Sequence, residues 1–344
     1  MSDFYDLTAA EQTDRLTRLA RNACDAWAFA GRPEITLLKF RENAVFRVDA
    51  DGGRYALRVH RAGYHTPAAL ESELRWMTAL RAEGVPTPEV LPTRTGALFT
   101  TAHSADVPEP RLVDLLSWVD GGPLGSVEQG VTADSAAVSA YAETGRLMAR
   151  LHDHAQHWRR PDTFVRQAWD ADGMLGDAPL WGRFWELDAL TREDRALVLA
   201  AADRARADLA AFGDGPDRYG LIHADFLPEN LMLHQGVVQV IDFDDAGFGW
   251  HLFDIATSLF LVADDPAFGQ LLDAFVGGYR TRRTLPEEHL ARLPLFFLLR
   301  GLTYLGWLHT RRETVTAQQM TPVLVPAVNA LAAAYLAARP TARH

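Results

Sequence analysis

The chain has one cysteine, Cys24, and one lysine, Lys39, in 344 residues. A lone thiol excludes an intramolecular disulfide and any paired-cysteine metal motif, so a reducing, cytoplasmic setting is the default expectation. The N-terminus, MSDFYDLTAAEQTDRL, lacks the basic-then-apolar order of a secretory leader. The most hydrophobic stretch, Leu293 to Leu308, is interrupted by Pro294 and Arg300 and falls short of the ~20 apolar residues that cross a bilayer, so no membrane span is expected. A formal net charge of -11 disfavours nucleic acid, which is held chiefly by clustered Lys and Arg. It is weak support for a cationic partner, because solubility alone accounts for an acidic surface. What remains, 48% hydrophobic and 23% charged residues, is ordinary globular composition, enough for one large or two modest domains.

A more local absence is more informative. Between Leu221 and Trp250 the chain reads LIHADFLPENLMLHQGVVQVIDFDDAGFGW, with five carboxylates (Asp225, Glu229, Asp242, Asp244, Asp245) and no Lys or Arg. That imbalance calls for a cation from outside the segment. Asp225 is followed five positions later by Asn230 and then, after an apolar hairpin (Leu231–Leu233, Val237–Ile241), by Asp242. Phosphoryl transfer asks mainly for positioning and charge neutralisation, hence a carboxylate near the acceptor hydroxyl and hard oxygen ligands for Mg²⁺. Asp225 suits the first task, and Asn230 with Asp242 suits the second. Any one of these pieces alone is more often a turn or a helix cap, but their joint spacing follows the H-x-D-x-x-x-x-N and metal-binding Asp pattern of kinases. His223 is expected to brace the loop by hydrogen bonds.

From HADFLPEN through IDFDDAGFGWHLFDIA the sequence resembles the aminoglycoside phosphotransferase and choline kinase superfamily, which includes homoserine kinases and a bacterial stress-response protein kinase, and the resemblance extends over nearly the whole chain. It implies ATP and Mg²⁺ as cofactors, Asp225 as catalytic base, Asn230 and Asp242 as metal ligands, and Asp254 as a brace for the catalytic loop. The sequence departs from the pattern at Ala224, where many members have Gly, a mild change as long as the backbone there needs no positive φ. The fold expected is α+β: a bilobal protein-kinase-like architecture with an antiparallel β-sheet lobe (1–116), a hinge (117–122) and a mainly helical lobe (123–344).

Upstream, residues 8 to about 30 read as an amphipathic helix. Glu42–Val48 and Arg54–His60 read as strands joined in a hairpin by Asp49-Ala50-Asp51-Gly52-Gly53. Tyr55-Ala56-Leu57-Arg58 matches the kinase V-A-I-K strand with Arg for Lys, and strand alternation puts Ala56 and Arg58 on one face. Arg grips phosphate differently from Lys, yet a chain with one lysine has drifted generally toward Arg; Lys39 is a rival phosphate ligand outside that frame. The cation's partner is expected on a helix from Pro67 to Ala82. There Glu73 falls beside the apolar stripe (Leu70, Leu74, Met77, Leu80), while Glu71 projects away as a solvated charge. No G-x-G-x-x-G loop occurs; Asn43 stands in its place as a phosphate contact, although a turn-forming Asn is the commoner explanation. An apolar strand at Leu112–Trp118 runs into SWVDG, which resembles the family's hinge and implies Ser117 and Val119 as adenine contacts.

The second lobe reads as helices at Asp134–His157, Arg192–Phe212, Leu252–Val262, Ala267–Tyr279, Glu287–Arg312 and Thr321–Ala338. The acceptor side is expected in Phe164–Leu187, where Trp169, Asp170, Trp181 and Trp185 offer stacking or cation–π contact or simply pack the insert. Asp244 and Asp245 are candidates for acceptor recognition or a second Mg²⁺. The function expected is transfer of the γ-phosphate to a hydroxyl of a small molecule, an amino alcohol or a homoserine- or aminoglycoside-like acceptor. A stress-response Ser/Thr protein kinase, a nucleotide-binding pseudokinase and a metal-dependent phosphoesterase are the alternatives. The last leaves Arg58, Glu73 and the hinge without a purpose.

Overall fold

A computed structural model of the chain describes residues 4–125 and 135–338. It divides into two compact units, and the division does not simply follow the chain. The first comprises Met1–Gly121 together with Arg159–Arg166 and Gln239–Asp244; the second comprises Gly122–Trp158, Gln167–Val238 and Asp245–His344. Two short segments expected in the helical lobe thus belong with the sheet, and one of them carries Asp242 and Asp244. The fold class is the expected α+β, with an antiparallel sheet in one unit and mainly helices in the other.

The first unit begins with α1 (Ala9–Ala23), started by a Thr8–Glu11 capping box and shorter than the expected helix. Strands β1 (Glu34–Phe40), β2 (Ala44–Ala50) and β3 (Gly53–Val59) precede α2 (Pro67–Ala82), and β4 (Thr100–Ser104) and β5 (Val107–Ser117) complete an antiparallel sheet in the order β1-β2-β3-β5-β4. The β2–β3 turn is tighter than expected: Asp51 (φ 54°) and Gly52 (φ 76°) form its two central positions, as a primed hairpin turn requires. Strand alternation sends Phe46, Val48, Leu57 and Val59 into a core with Leu16, Leu19 and Trp27. The same alternation turns Arg58 to the face opposite Leu57. Strand β5 starts five residues before the expected Leu112, and Leu112 is only half-buried.

The second unit contains β6 (Gly122–Pro123), α3 (Ser135–His157), β7 (Ala168–Trp169), α4 (Ala171–Leu175), α5 (Arg192–Phe212), β8 (Tyr219–Ile222), β9 (Leu231–His234), β10 (Val237–Val240), β11 (Gly247–Trp250), α6 (His251–Leu259), α7 (Phe268–Arg280), α8 (Glu287–Leu290), α9 (Leu293–Thr310) and α10 (Val315–Ala337). The boundary between the units falls inside β10. Strand β11 lies between β7 and β8, and β9 pairs with β6. Asp134, the expected start of α3, lies outside the described residues. The helix expected over Glu287–Arg312 is broken into α8 and α9, with Pro294 in the first turn of α9, where its missing N–H costs nothing. Helix α10 starts six residues before the expected Thr321, capped by the Thr314 hydroxyl, and carries Pro322 and Pro326 inside it. It is also the one described helix long and apolar enough to cross a membrane by length and composition, with a mean hydropathy of 1.6. Leu324, Val328 and Ala332 of α10 are buried, as in a helix that packs on α9 and α5.

Candidate active site

In the first unit, strand register fixes a charged cluster. Arg58 on β3 stands directly opposite Asp114 on β5, and its guanidinium grips that carboxylate with two parallel bonds, Nε–Oδ1 at 2.9 Å and Nη2–Oδ2 at 2.8 Å. Nη2 also lies 2.9 Å from Glu73 Oε1 on α2. The expected choice between the two glutamates is visible in their surroundings: Glu73 is 1% exposed beside Arg58, whereas Glu71 makes an exposed pair with Arg75. Arg166 approaches Glu73 Oε2 at 3.4 Å and donates to the carbonyls of Phe243 and Asp244. His60 Nε2 lies 2.6 Å from Asp114 Oδ2, and His65 Nε2 lies 2.7 Å from the Asp244 carbonyl oxygen.

Three buried carboxylates are therefore matched by two arginines and a protonated imidazole. Burial works against the His60 charge, but the Asp114 carboxylate lifts it to about 9. Burial alone would raise Asp244; the imidazoles of His60 and His65, 3.5 Å and 3.3 Å from its Oδ1, hold it well below the usual carboxylate range instead. Burial likewise opposes the charge of Arg58, which Asp114, then Glu73 and Asp242, more than restore. His65, Glu73 and Asp244 place ligand atoms within 4.8 Å of one another, but two guanidinium groups already sit on Glu73, and like-charge repulsion disfavours a cation there. Arg58 Nη1 is buried without a hydrogen-bond partner.

The other expected nucleotide contacts are placed as follows. Ala56 is half-buried on β3, paired with Leu116. Asn43 Oδ1 accepts from the Arg61 backbone N–H at 3.0 Å, a bond that ties the β1–β2 turn to the segment after β3. Ser117 is bound to Glu89 through both its N–H and its hydroxyl, each at 2.8 Å. Val119 is half-buried just beyond β5. Lys39 is exposed on β1, and Asp242 is exposed with φ 65°, a backbone state that non-glycine residues seldom adopt outside functional or tight-turn positions.

In the second unit, the loop between β8 and β9 presents Asp225. Arg300 Nη2 of α9 donates to its Oδ1 at 2.9 Å, and Asn230 Nδ2 donates to its Oδ2 at 2.9 Å. Asp254 on α6, fully buried, accepts from the backbone N–H groups of His223 (3.0 Å) and Ala224 (2.6 Å) and from His152 Nε2 (3.0 Å). Burial pushes the Asp254 carboxyl up to about 6 against those donors. His223 is fully buried, and its Nδ1 accepts from the Asp225 N–H at 3.3 Å. Ala224 has φ 64°, so the condition under which Ala for Gly would be mild is not met: the backbone is left-handed, the conformation glycine adopts freely.

The expected acceptor residues are placed as follows. Trp169 is fully buried, stacked on Phe253 and edge-on to Trp181, with its indole N–H donating to the Asp245 carbonyl. Asp170 caps α4 by accepting from Gly173 N–H. Trp185 is half-buried against Phe184, and Asp244 is buried in the histidine cluster of the first unit. Asp245 is half-buried and accepts from the Trp181 indole N–H at 3.2 Å.

Sequence reasoning missed Asp114, His60, Arg166 and Arg300. Two of them carried a signal: a charge inside an apolar strand (Leu112-Val113-Asp114-Leu115-Leu116) or an apolar helix (Phe296–Leu302 around Arg300) is costly unless it is paired. The partner's identity is a long-range fact and has no local signature.

Fold and site together describe a phosphotransferase of the protein-kinase-like class. The sequence profile of the phosphotransferase enzyme family matches residues 35–292. A microcompartment-associated aminopropanol kinase superposes with a TM-score of 0.82 at 36% identity, covering 93% of this chain and 97% of that one. The amicoumacin kinase of Bacillus subtilis is 25% identical over 288 residues, 81% of this chain and 80% of its own. The amicoumacin kinase hAmiN, solved with AMP-PNP, Ca²⁺ and Ami, shares the fold with a TM-score of 0.74 at 21% identity over 94% and 96% of the two chains. The chain belongs to the phosphotransferase enzyme family; it is an ATP-dependent kinase acting on an alcohol group.

Proposed function

We propose that the protein transfers the γ-phosphate of ATP, with Mg²⁺, to the hydroxyl of a small amino alcohol. The observation that carries the reading is Asp225, a partly exposed carboxylate whose two oxygens are each fixed by a donor from a different element. The acceptor class follows the aminopropanol kinase, to which the likeness extends over nearly the whole chain. A cytoplasmic location and the absence of a nucleic-acid partner go with this reading.

Asn230 in the second unit and Asp242 in the first are each suited in donor type to a hard divalent cation. The amide nitrogen of Asn230 is committed to Asp225, which turns its carbonyl oxygen the other way, and Asp242 is an exposed carboxylate. Both are oxygen donors of the kind Mg²⁺ prefers. When bound, the ion supplies charge neutralisation at phosphate oxygens. Asp225 accepts the proton of the acceptor hydroxyl, and its fixed orientation aligns that hydroxyl for attack. Arg58 offers Nη1 to the nucleotide phosphates, its other donors being held by Asp114 and Glu73. Asp245, half-buried beside the Trp181 indole, is a carboxylate of the second unit suited to an acceptor ammonium.

ADP release measured across aminopropanol, ethanolamine, choline, homoserine, an aminoglycoside and a protein substrate tests the reading. Amino alcohols should raise turnover well above the ATP-only rate, and Asp225→Ala should lower it by about 10²–10⁴-fold with its melting temperature retained. Full turnover in that variant, or stimulation by the protein substrate alone, contradicts the proposal.

A further inference from the structure

We infer that Arg300 is a positioning residue for the phosphoryl transfer: from α9 it brings to Asp225 the positive charge that the catalytic segment lacks, and it holds that carboxylate in the orientation that meets the acceptor hydroxyl. The inference rests on the reading of Asp225 given above.

The 221–250 segment carries five carboxylates and no Lys or Arg. Within the second unit the missing cation comes from a helix some seventy positions further along the chain. Arg300 is fully buried in a helix whose neighbours, Phe296–Leu299 and Leu302, are all apolar. A buried guanidinium is expensive, and an apolar residue of similar volume commonly serves packing as well or better. Packing alone therefore does not account for an arginine here.

Its bonds converge on one place. Nη2 donates to Asp225 Oδ1 at 2.9 Å and to the Tyr304 hydroxyl at 3.2 Å, and Nη1 donates to the Ala224 carbonyl at 3.2 Å. Arg300 thus ties the side chain of Asp225 to the carbonyl of the strained residue before it. The guanidinium lies over three aromatic rings, 4.4 Å from the Tyr304 centroid, 4.8 Å from Trp181 and 5.9 Å from Phe253, so its charge is held by ring faces as well as by the carboxylate. Trp181 also donates its indole N–H to Asp245, which links the aromatic box to a second acidic residue of the same unit.

With Oδ2 held by Asn230 and Oδ1 by Arg300, rotation of the carboxylate about χ2 breaks one bond or the other. Loss of Arg300 removes one of the restraints on that rotation and leaves nucleotide contacts untouched, so the effect falls on kcat and not on the KM for ATP.

The test compares Arg300→Met, Arg300→Lys and Tyr304→Phe in wild-type and Asp225→Asn backgrounds, reading kcat, KM for ATP, KM for aminopropanol and melting temperature. Arg300→Met should lose about 10²-fold in kcat with KM for ATP within about threefold. Arg300→Lys should recover part of that loss, because charge returns without the two-pronged grip. In the Asp225→Asn background the further loss from Arg300→Met should shrink to a few-fold, since the two residues act as one unit. If Arg300→Met does not fold, Arg300→Lys and Tyr304→Phe carry the same comparison. A folded Arg300 variant with unchanged kcat, or an undiminished loss in the Asp225→Asn background, overturns the inference. Wild-type enzyme without amino-alcohol-dependent ADP release overturns the functional reading instead, and the two failures are thereby distinct.

Discussion

At the scale of single residues, strain gathers beside the chemistry. Ala224 holds φ 64° one position before Asp225 while its N–H donates to Asp254 at 2.6 Å. A left-handed L-residue costs about 1–2 kcal/mol, part of which a glycine returns as greater freedom in the unfolded chain. Ala224→Gly should therefore raise stability by about 0.5–1 kcal/mol in urea denaturation. A loss of stability would mean that the methyl group packs more usefully than the strain costs. The sequence showed which residue departs from the family pattern, but the sign of its φ depends on what holds the N–H, and Asp254 is thirty positions away.

His60 gives a pH dependence of definite sign. Its folded pKa is raised to about 9 despite burial, because Asp114 favours the imidazolium. A raised folded pKa contributes stability that is present in full below the unfolded value of ~6.5 and is lost as pH climbs through 9. Chemical denaturation between pH 6 and 10 should show wild-type stability falling by up to about 3 kcal/mol on this account, and His60→Gln should flatten that slope. A slope of equal size in the variant would assign it to other groups.

At the scale of elements, helices α3 and α7 approach backbone to backbone through glycine. A methyl group at Gly278 would sit 1.9 Å from the Ala142 carbonyl oxygen, and one at Gly145 would sit 2.0 Å from that of Phe275. Neither oxygen belongs to a movable side chain, so Gly278→Ala forces the helices apart and should cost about 2–3 kcal/mol, read as a lower melting temperature. An unchanged melting temperature would show that the two helices have room to separate. The α2 and α5 boundaries were legible because each begins at a Thr cap and keeps one buried stripe. The split of α8 from α9 was not, because the expected helix ran through Pro294, which instead marks the first turn of α9; nor was the early start of α10, because Pro322 beside Thr321 reads locally as a helix start, whereas it lies inside a helix that packing sustains.

At the scale of the whole molecule, charge is arranged by unit. In the first, Asp114, Glu73 and Asp244 are balanced by Arg58, Arg166 and His60; in the second, Asp225 is balanced by Arg300. The motif-bearing members of these sets, Arg58, Glu73 and Asp225, were readable because spacing along a strand, a helix or a loop names them. Asp114, Arg166 and Arg300 were not, because each is a partner chosen by tertiary packing, and no periodicity encodes a contact 56, 93 or 75 positions long.

A kinase acting on an amino alcohol must leave the γ-phosphate on the acceptor oxygen. Phosphorus NMR of a reaction with enzyme, ATP, Mg²⁺ and aminopropanol measures this directly. A phosphate-ester resonance should grow in step with ADP and be absent with Asp225→Ala; ADP accompanied only by inorganic phosphate, or an ester formed undiminished by Asp225→Ala, would contradict the proposed function.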